Sequence, residues 1–214
     1  MTYTNRFIVG LAGVVAVMVT AALILAPGRC THDRHHTIKP DSVVLRPGDV
    51  VLRRGAGMTS RAVLMADKGG GYSHVGMVVD SAGTMMIVHA VPGEPDFKGD
   101  PDRVKMETPQ KFYATGNAIT GAVMRCTDSI AAVKAAGVAM QVYRRGTLFD
   151  HDYNNSDTTR MYCCELVEFA YTRAGLPLVF VPRHHFSLPG MDINEVILPS
   201  DFCSSPHLHF ITTF

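Results

Sequence analysis

The stretch YSHVGMVVDSAGTMMIVHAV, residues 72–91, decides the fold of this chain. It contains two apolar runs on either side of a turn signal at residues 80–83, a pattern that predicts a buried antiparallel hairpin. His74 opens the first run and His89 lies near the end of the second. Because the strands of a hairpin bring these two ends together, we expect both imidazoles at the same end of the sheet.

Strands and short helices alternate irregularly on both sides of this hairpin. Strands are predicted at residues 49–53 and 118–125, with an edge strand at 103–107 and one closing strand in a tail, 193–214, that is otherwise loop. Helices are predicted at residues 59–67, 129–143 and 161–174. The second of these helices is predicted to present one face to the core: Ile130, Val133, Ala136, Gly137 and Met140. The irregular order predicts the α+β class.

An uncharged apolar run at residues 7–26 comes after Arg6 and is ended by Pro27 and Gly28. Its length matches the roughly 20 residues that cross a bilayer as a helix, and it also resembles the core of a long signal peptide. We therefore expect an N-terminal membrane helix, which serves as a retained anchor, a cleaved signal or, through Cys30, a lipid anchor.

This apolar run sets the expected organisation of the chain. Residues 1–28 are predicted to be the signal peptide or membrane anchor, 29–42 a polar linker and 43–214 the folded domain. Basic residues after the run favour a cytoplasmic domain by the positive-inside rule, whereas signal-like segments export the domain on their C-terminal side. Between these opposing signals we expect an extracytoplasmic domain, in the periplasm or cell envelope, that meets the membrane through its N-terminal segment.

The composition excludes several classes of protein. A formal net charge of +1 argues against an electrostatic nucleic-acid binder, so no nucleic-acid partner is expected. Charged residues make up 18% of the chain and apolar residues 47%, which is typical of a folded domain rather than a disordered segment. Five cysteines are too few, and odd in number, for a disulfide-dense scaffold.

Cys163 lies near the predicted start of the last long helix. At that position the helix dipole favours the thiolate, and first-turn N–H groups without helical partners can stabilise an oxyanion. A buried cysteine at a helix start is also a common structural feature. The interpretation of Cys163 as a nucleophile gains support if a base and its orienting partner, such as His74 and His89, share one site with it.

Four segments in chain order carry a resemblance to a known family: GDVV at 48–51, YSHVGMVV at 72–79, VHA at 88–90 and YCCELV at 162–167. They resemble the NlpC-type, circularly permuted papain-like cysteine hydrolases of the YaeF/YiiX type. In that group the histidine strand precedes the cysteine helix, as it does here. The resemblance spans roughly residues 47–210 and implies a papain-like fold, with an antiparallel sheet or small barrel packed against helices.

The resemblance also implies roles for individual residues. Cys163 matches the nucleophile, His74 the general base and His89 the polar residue that orients the base. Many permuted members carry a glutamate at this third position, so Glu94 is the alternative if His89 is a structural strand residue. Cys164 is expected to point away from the site and to pack. The residues expected to contact the substrate are Tyr72, Ser73 and Tyr162.

The implied reaction is cleavage of an amide or ester bond through a thiol acyl-enzyme, on a cell-envelope peptide or acylated substrate, without a cofactor. Two alternatives within the same fold are a lipid acyltransferase or phospholipase and a non-catalytic binding member. A third is a metal-binding module, suggested by a group of imidazoles and a thiol near the C-terminus: His184, His185, His207, His209 and Cys203. These residues lack zinc-like spacing, so no metal site is predicted, and the oligomeric state is left open.

Overall fold

The computed structural model describes residues 36–68, 70–153, 157–188 and 191–214. The predicted membrane helix and the first part of the predicted linker lie outside the described residues. Within the described ranges, no helix is both long enough and apolar enough to cross a membrane. Residues 36–42 of the predicted linker contact the domain, and Ile38 N donates a hydrogen bond to Tyr113 O at 2.9 Å. The boundary at residue 43 therefore stays a prediction.

The described chain forms ten strands and five helices. The strands are β1 Val50–Arg54, β2 His74–Ser81, β3 Thr84–Val91, β4 Arg103–Glu107, β5 Thr120–Cys126, β6 Leu148–Phe149, β7 Arg160–Met161, β8 His184–Leu188, β9 Met191–Val196 and β10 Leu208–Thr213. The helices are α1 Met58–Ala66, α2 Pro109–Phe112, α3 Ser129–Arg144, α4 Cys163–Ala174 and α5 Pro199–Cys203.

Eight of the strands form one sheet in the order β10-β5-β1-β2-β3-β4-β6-β7. All neighbours in this sheet are antiparallel except β6 and β7. Helices α3 and α4 pack on each other and on β2 and β3. The predicted α+β class, with an antiparallel sheet packed against helices, is confirmed.

The central hairpin joins β2 to β3 through a tight turn. Ala82 and Gly83 both have positive φ, 53° and 83°, which is the conformation of a two-residue turn that matches the twist of antiparallel strands. The register pairs Met77 with Val88, and its continuation sets Gly76 opposite His89. A Cβ atom at position 76 would lie 3.2 Å from the Cβ of His89, so the glycine leaves room for the histidine.

The predicted buried face of α3 is wrong in part. Ile130 and Val133 are 69% and 59% exposed, and the buried side is instead a stripe made mostly of alanine. These residues are Ala131, Ala132, Ala135, Ala136, Ala139, Met140 and Val142. Small side chains let the helix approach the loop before β1, where a Cβ atom on Gly48 would lie 2.4 Å from Ala132 O. Close backbone packing therefore outweighs the larger apolar side chains in setting the orientation of α3.

Two further expectations about strands are corrected. The segment 103–107 is a strand, but β4 pairs with both β3 and β6 and so is not an edge strand. Its polar residues Lys105 and Glu107 are buried. The predicted tail, 193–214, contains more than one closing strand: it holds the end of β9, helix α5 and β10, and β9 pairs with the preceding β8 in a separate two-stranded hairpin. Polar residues such as His184 and His185 interrupt the apolar pattern by which a strand is recognised, so this hairpin was not predicted.

Candidate active site

Cys163 is the first residue of α4. The preceding residue, Tyr162, has an extended backbone with φ −91° and ψ 174°, so the helix begins at the cysteine. Glu165 Oε2 accepts a hydrogen bond from Tyr162 N at 3.4 Å, and the Tyr162 hydroxyl accepts one from Ile197 N at 2.9 Å. These contacts fix the start of α4 against the segment that comes after β9.

Cys163 and His74 line one small cavity of about 70 Å³. His74 is the first residue of β2, and α4 packs on this strand, so the helix start and the strand start meet at one end of the sheet. The pKa of Cys163 is lowered well below its ordinary value, first by the hydrogen bond with the Cys164 thiol and then by the contact with His74, although burial opposes the shift. The two thiol sulfurs are 3.8 Å apart.

His74 forms the link between the thiol and the interior of the sheet. Its Nε2 lies 2.8 Å from His89 Nδ1, which leaves Nδ1 as the ring nitrogen available to Cys163. Burial, followed by the positive charge of Arg53, lowers the pKa of His74 to about 4, although the contact with Cys163 opposes this shift. A neutral imidazole is therefore favoured at pH 7, and such an imidazole can accept a proton.

Glu107 contacts His89 on the side away from His74, so Cys163, His74, His89 and Glu107 form one row of side chains. Its Oε1 lies 3.1 Å from His89 Nε2, and both side chains are buried. The two atoms are within contact distance but do not meet the geometry of a hydrogen bond. Burial alone would raise the pKa of Glu107, but His89, Arg53 and Lys111 together lower it to about 2. The pKa of His89 is also lowered, mainly by burial, so a neutral imidazole faces an ionised carboxylate.

Sequence reasoning missed Glu107. The available signal was the alternation in residues 103–107, which places Lys105 and Glu107 on one side of β4. The register pairs His89 with Lys105, so Glu107 is the diagonal neighbour of His89. Because residues 103–107 were predicted to be an exposed edge strand, a buried contact between Glu107 and His89 was not expected. Glu94, the alternative third residue, instead forms an ion pair with Arg53.

The residues expected to contact the substrate are not all at the cavity. Ser73 and Tyr162 line it beside Cys163. Tyr72 is not among the lining residues; it packs against the apolar core, and the Cys203 thiol contributes to raising its pKa after burial. Cys164 is buried as expected, although it also forms part of the cavity wall.

The histidines near the C-terminus are held separately. His184 Nε2 lies 2.9 Å from Asp201 Oδ1, and His185 Nδ1 contacts Asn194 Oδ1. His207 packs against the ring of Phe180. In the described part of the chain, no group of three or more histidine, cysteine or acidic side chains is arranged to hold a metal ion.

A thiol at a helix start that meets a strand histidine is the arrangement of papain-like cysteine hydrolases, here with the histidine strand ahead of the cysteine helix in the chain. The family model described as permuted papain-like amidase enzyme, YaeF/YiiX, C92 family matches residues 44–212. The chain belongs to this family.

A solved structure supports the same fold. The crystal structure of a protein described as metalloprotein YiiX from Escherichia coli O157:H7 superposes with a TM-score of 0.61 at 19% sequence identity. The match covers 79% of this chain and 97% of that chain. No curated protein matches the chain.

Proposed function

We propose that this protein is a cysteine hydrolase that cleaves amide or ester bonds through an acyl-enzyme on Cys163. The observation that carries the proposal is the shared cavity of Cys163 and His74, backed by His89 and Glu107. Cys163 supplies the nucleophile, His74 the general base and acid, and His89 and Glu107 position the base. Membership of an amidase family is consistent with this chemistry.

The first half of the reaction forms a thioester. His74 Nδ1 takes the proton from the Cys163 thiol, and the sulfur attacks the carbonyl carbon of the substrate. The N–H groups in the first turn of α4 lack helical partners and stabilise the negative charge on the carbonyl oxygen. His74 then gives its proton to the leaving nitrogen or oxygen, and the bond to that atom breaks.

The second half restores the enzyme. A water molecule gives a proton to His74 as its oxygen attacks the thioester carbonyl. The carbon–sulfur bond breaks, the acid product leaves and the proton returns to Cys163. An alcohol or amine in place of water would make the same enzyme an acyltransferase, so the two activities differ only in the second acceptor.

The proposed row of side chains fixes where protons sit. If His74 Nδ1 is to accept the thiol proton, His74 Nε2 must carry hydrogen and donate to His89 Nδ1. His89 Nε2 then carries hydrogen and faces the Glu107 carboxylate. This carboxylate stabilises the positive charge that His74 acquires during attack, and it acts through His89 rather than by touching the substrate.

The experiment compares hydrolysis of short p-nitrophenyl esters and anilides by the full chain and its thiol variants. Cys163→Ala removes activity in the proposed mechanism. The neighbouring variant Cys164→Ala keeps the nucleophile and should stay active, with its pH–rate profile shifted to higher pH because Cys163 loses the hydrogen bond that lowers its pKa. Equal activity in Cys163→Ala and the unaltered chain would refute the proposal.

We also propose that the domain acts in the cell envelope, held at the membrane by the apolar run at residues 7–26. The support is the length and apolarity of that run. Fractionation of cells that express the full chain tests this placement: the protein should sediment with membranes and become accessible to protease added to the extracytoplasmic side. Recovery of a protease-protected protein would contradict it.

A further inference from the structure

Cys163 and Cys164 place two thiols side by side at the proposed active site. Both residues line the small cavity, and their sulfurs are 3.8 Å apart. The proposed mechanism uses only the first of these thiols. We propose that the pair is a site of reversible oxidation, at which a peroxide converts the two thiols to a disulfide and so stops hydrolysis. The inference rests on the proposed function for its effect on activity, whereas formation of the disulfide is tested separately.

Cys163 is the thiol that reacts with the oxidant. It is only partly buried, and its cavity of about 70 Å³ has room for hydrogen peroxide, since a liquid water molecule occupies about 30 Å³. Its lowered pKa favours the thiolate, which is the form that peroxides oxidise. Burial raises the pKa of the other cysteines in the described part of the chain, Cys126, Cys164 and Cys203. Oxidation therefore begins at Cys163.

Cys164 supplies the second sulfur. Its side chain is 1% exposed, and the contact between the two thiols holds its sulfur against that of Cys163. The Cys203 thiol instead contacts the carbonyl oxygen of Pro199 at 3.8 Å. A cysteine sulfenic acid condenses with a thiol within reach to give a disulfide. The structure thus provides Cys164 as the thiol that reacts with an oxidised Cys163.

The reaction takes two steps. After His74 has taken the thiol proton, the Cys163 sulfur attacks one oxygen of hydrogen peroxide, the O–O bond breaks, and the departing hydroxide takes the proton from His74 to become water. The Cys164 sulfur then attacks the sulfur of the sulfenic acid on Cys163. The S–S bond forms, the S–O bond breaks, and the hydroxyl leaves with the thiol proton as a second water. Two thiols are oxidised, and one peroxide is reduced to two waters.

A disulfide between neighbouring residues is strained, which makes it easy to reduce. Consecutive Cα atoms are about 3.8 Å apart, whereas disulfides usually join Cα atoms about 4.4–6.8 Å apart. The peptide between Cys163 and Cys164 lies in the first turn of α4, where the N–H groups lack helical partners, so its rotation disrupts fewer hydrogen bonds than it would inside a helix. The pair therefore suits a reversible modification rather than a structural bridge.

The disulfide would have two effects on the proposed enzyme. It removes the nucleophile, because the Cys163 sulfur is bonded to Cys164 and cannot attack a carbonyl. It also protects that sulfur, since a sulfenic acid without a nearby thiol is oxidised further to sulfinic acid, which thiols do not reduce. Cys164 should therefore make the loss of activity reversible.

The test treats the full chain with hydrogen peroxide, alkylates free thiols and digests the protein with trypsin. Cleavage after Arg160 and Arg173 releases one peptide, residues 161–173, that contains both cysteines. We expect this peptide to lack two hydrogen atoms and to resist alkylation until dithiothreitol is added. An unchanged peptide, added oxygen atoms on Cys163 or a disulfide from Cys163 to another cysteine would overturn the inference.

Two serine variants test the role of the neighbouring thiol. Cys164→Ser keeps a hydrogen-bond donor beside Cys163 but cannot form the disulfide, so Cys163 should gain two or three oxygen atoms. The activity that dithiothreitol restores to this variant should be at least about tenfold lower than in the unaltered chain. Cys203→Ser is the matched control and should keep both the disulfide and the recovery. Equal recovery in Cys164→Ser and the unaltered chain would count against the inference.

The mass measurement needs no substrate, so it separates this inference from the proposed function. A disulfide between Cys163 and Cys164 that dithiothreitol reduces, in a chain without thiol-dependent hydrolysis, would refute the proposed function alone. Thiol-dependent hydrolysis that peroxide abolishes irreversibly, with sulfinic acid on Cys163, would refute the reversible oxidation alone.

Discussion

The proton positions along the row Cys163, His74, His89 and Glu107 depend on two short separations, 2.8 Å between the imidazoles and 3.1 Å between His89 and the carboxylate. Each member is buried or lines the small cavity, so water competes little for these contacts. Arg53 adds a positive charge near His74, and its partner Glu94 keeps that charge from being unpaired. His74 therefore lies near a compensated ion pair rather than near a lone positive charge.

Glu107→Gln tests whether the carboxylate acts through His89. The amide keeps the shape of the side chain but removes the charge that stabilises the imidazolium of His74 in the transition state. We expect kcat to fall at least about tenfold with little change in KM, because an orienting charge acts mainly in the transition state. The measurement is the pH–rate profile on a short ester.

The control is Glu94→Gln, the same substitution at a glutamate that contacts Arg53 rather than His89. It should leave kcat within about threefold of the unaltered protein, which is less than the roughly tenfold fall in kcat expected when an orienting group is lost. If Glu94→Gln had the lower kcat of the two variants, Glu94 rather than Glu107 would be the carboxylate that stabilises the imidazolium of His74.

Burial of His74 predicts that stability depends on pH. The pKa of this histidine falls from 6.5 to about 4 on folding, chiefly because burial disfavours its charged form. Between these two values the unfolded chain binds more protons than the folded one, so the free energy of unfolding is largest above pH 6.5 and falls as the pH falls toward 4. The loss from this group reaches about 3 kcal/mol.

Urea unfolding at neutral pH and near pH 4.5 measures this effect. His74→Gln cannot titrate, so its loss of stability between the two pH values should be smaller than that of the unaltered protein by about 2 kcal/mol. The same loss in both proteins would mean that His74 already titrates normally in the fold.

At the scale of secondary-structure elements, close backbone approach brings the site residues together. The alanine stripe of α3 faces Gly48, and Gly76 on β2 faces His89 on β3. The strand pairing was predictable from the sequence because two apolar runs flank a turn with glycine. The orientation of α3 was not predictable, because two of its faces carry apolar residues and helical periodicity does not show which of them packs against a neighbouring backbone.

Gly76→Ala tests this packing. The added Cβ would lie 2.8 Å from Ile87 Cγ2 and 3.2 Å from His89 Cβ, so the strands must shift to admit it. We expect a loss of about 1–3 kcal/mol in the free energy of unfolding, as for other overpacked sites, and a lower kcat because His89 is displaced. Urea unfolding and steady-state kinetics measure the two effects.

Gly137→Ala serves as the control. This glycine lies within α3, and a Cβ atom there would meet nothing within 4 Å. Alanine at an open helix position should stabilise the protein by about 0.5–1 kcal/mol and leave kcat unchanged. A stable and fully active Gly76→Ala would show that the strands tolerate a side chain beside His89.

At the scale of the whole molecule, the fold class and the meeting of Cys163 with His74 were predictable from local signals. The turn signal at residues 80–83 predicted the hairpin, and the order of the four motifs matched a family. The contact of Glu107 with His89 was not predictable in this way. It depends on which strands become neighbours in the sheet, and that is a long-range pairing that no local pattern encodes.

The most direct measurement of the central claim identifies the residue that carries the acyl group. The full chain is mixed with p-nitrophenyl acetate, quenched in acid during turnover and fragmented for mass spectrometry. The mechanism predicts an acetyl thioester on Cys163, its persistence in Cys164→Ala and its absence in Cys163→Ala. An acetyl group on Cys164, or unchanged acylation and turnover in Cys163→Ala, would contradict the mechanism.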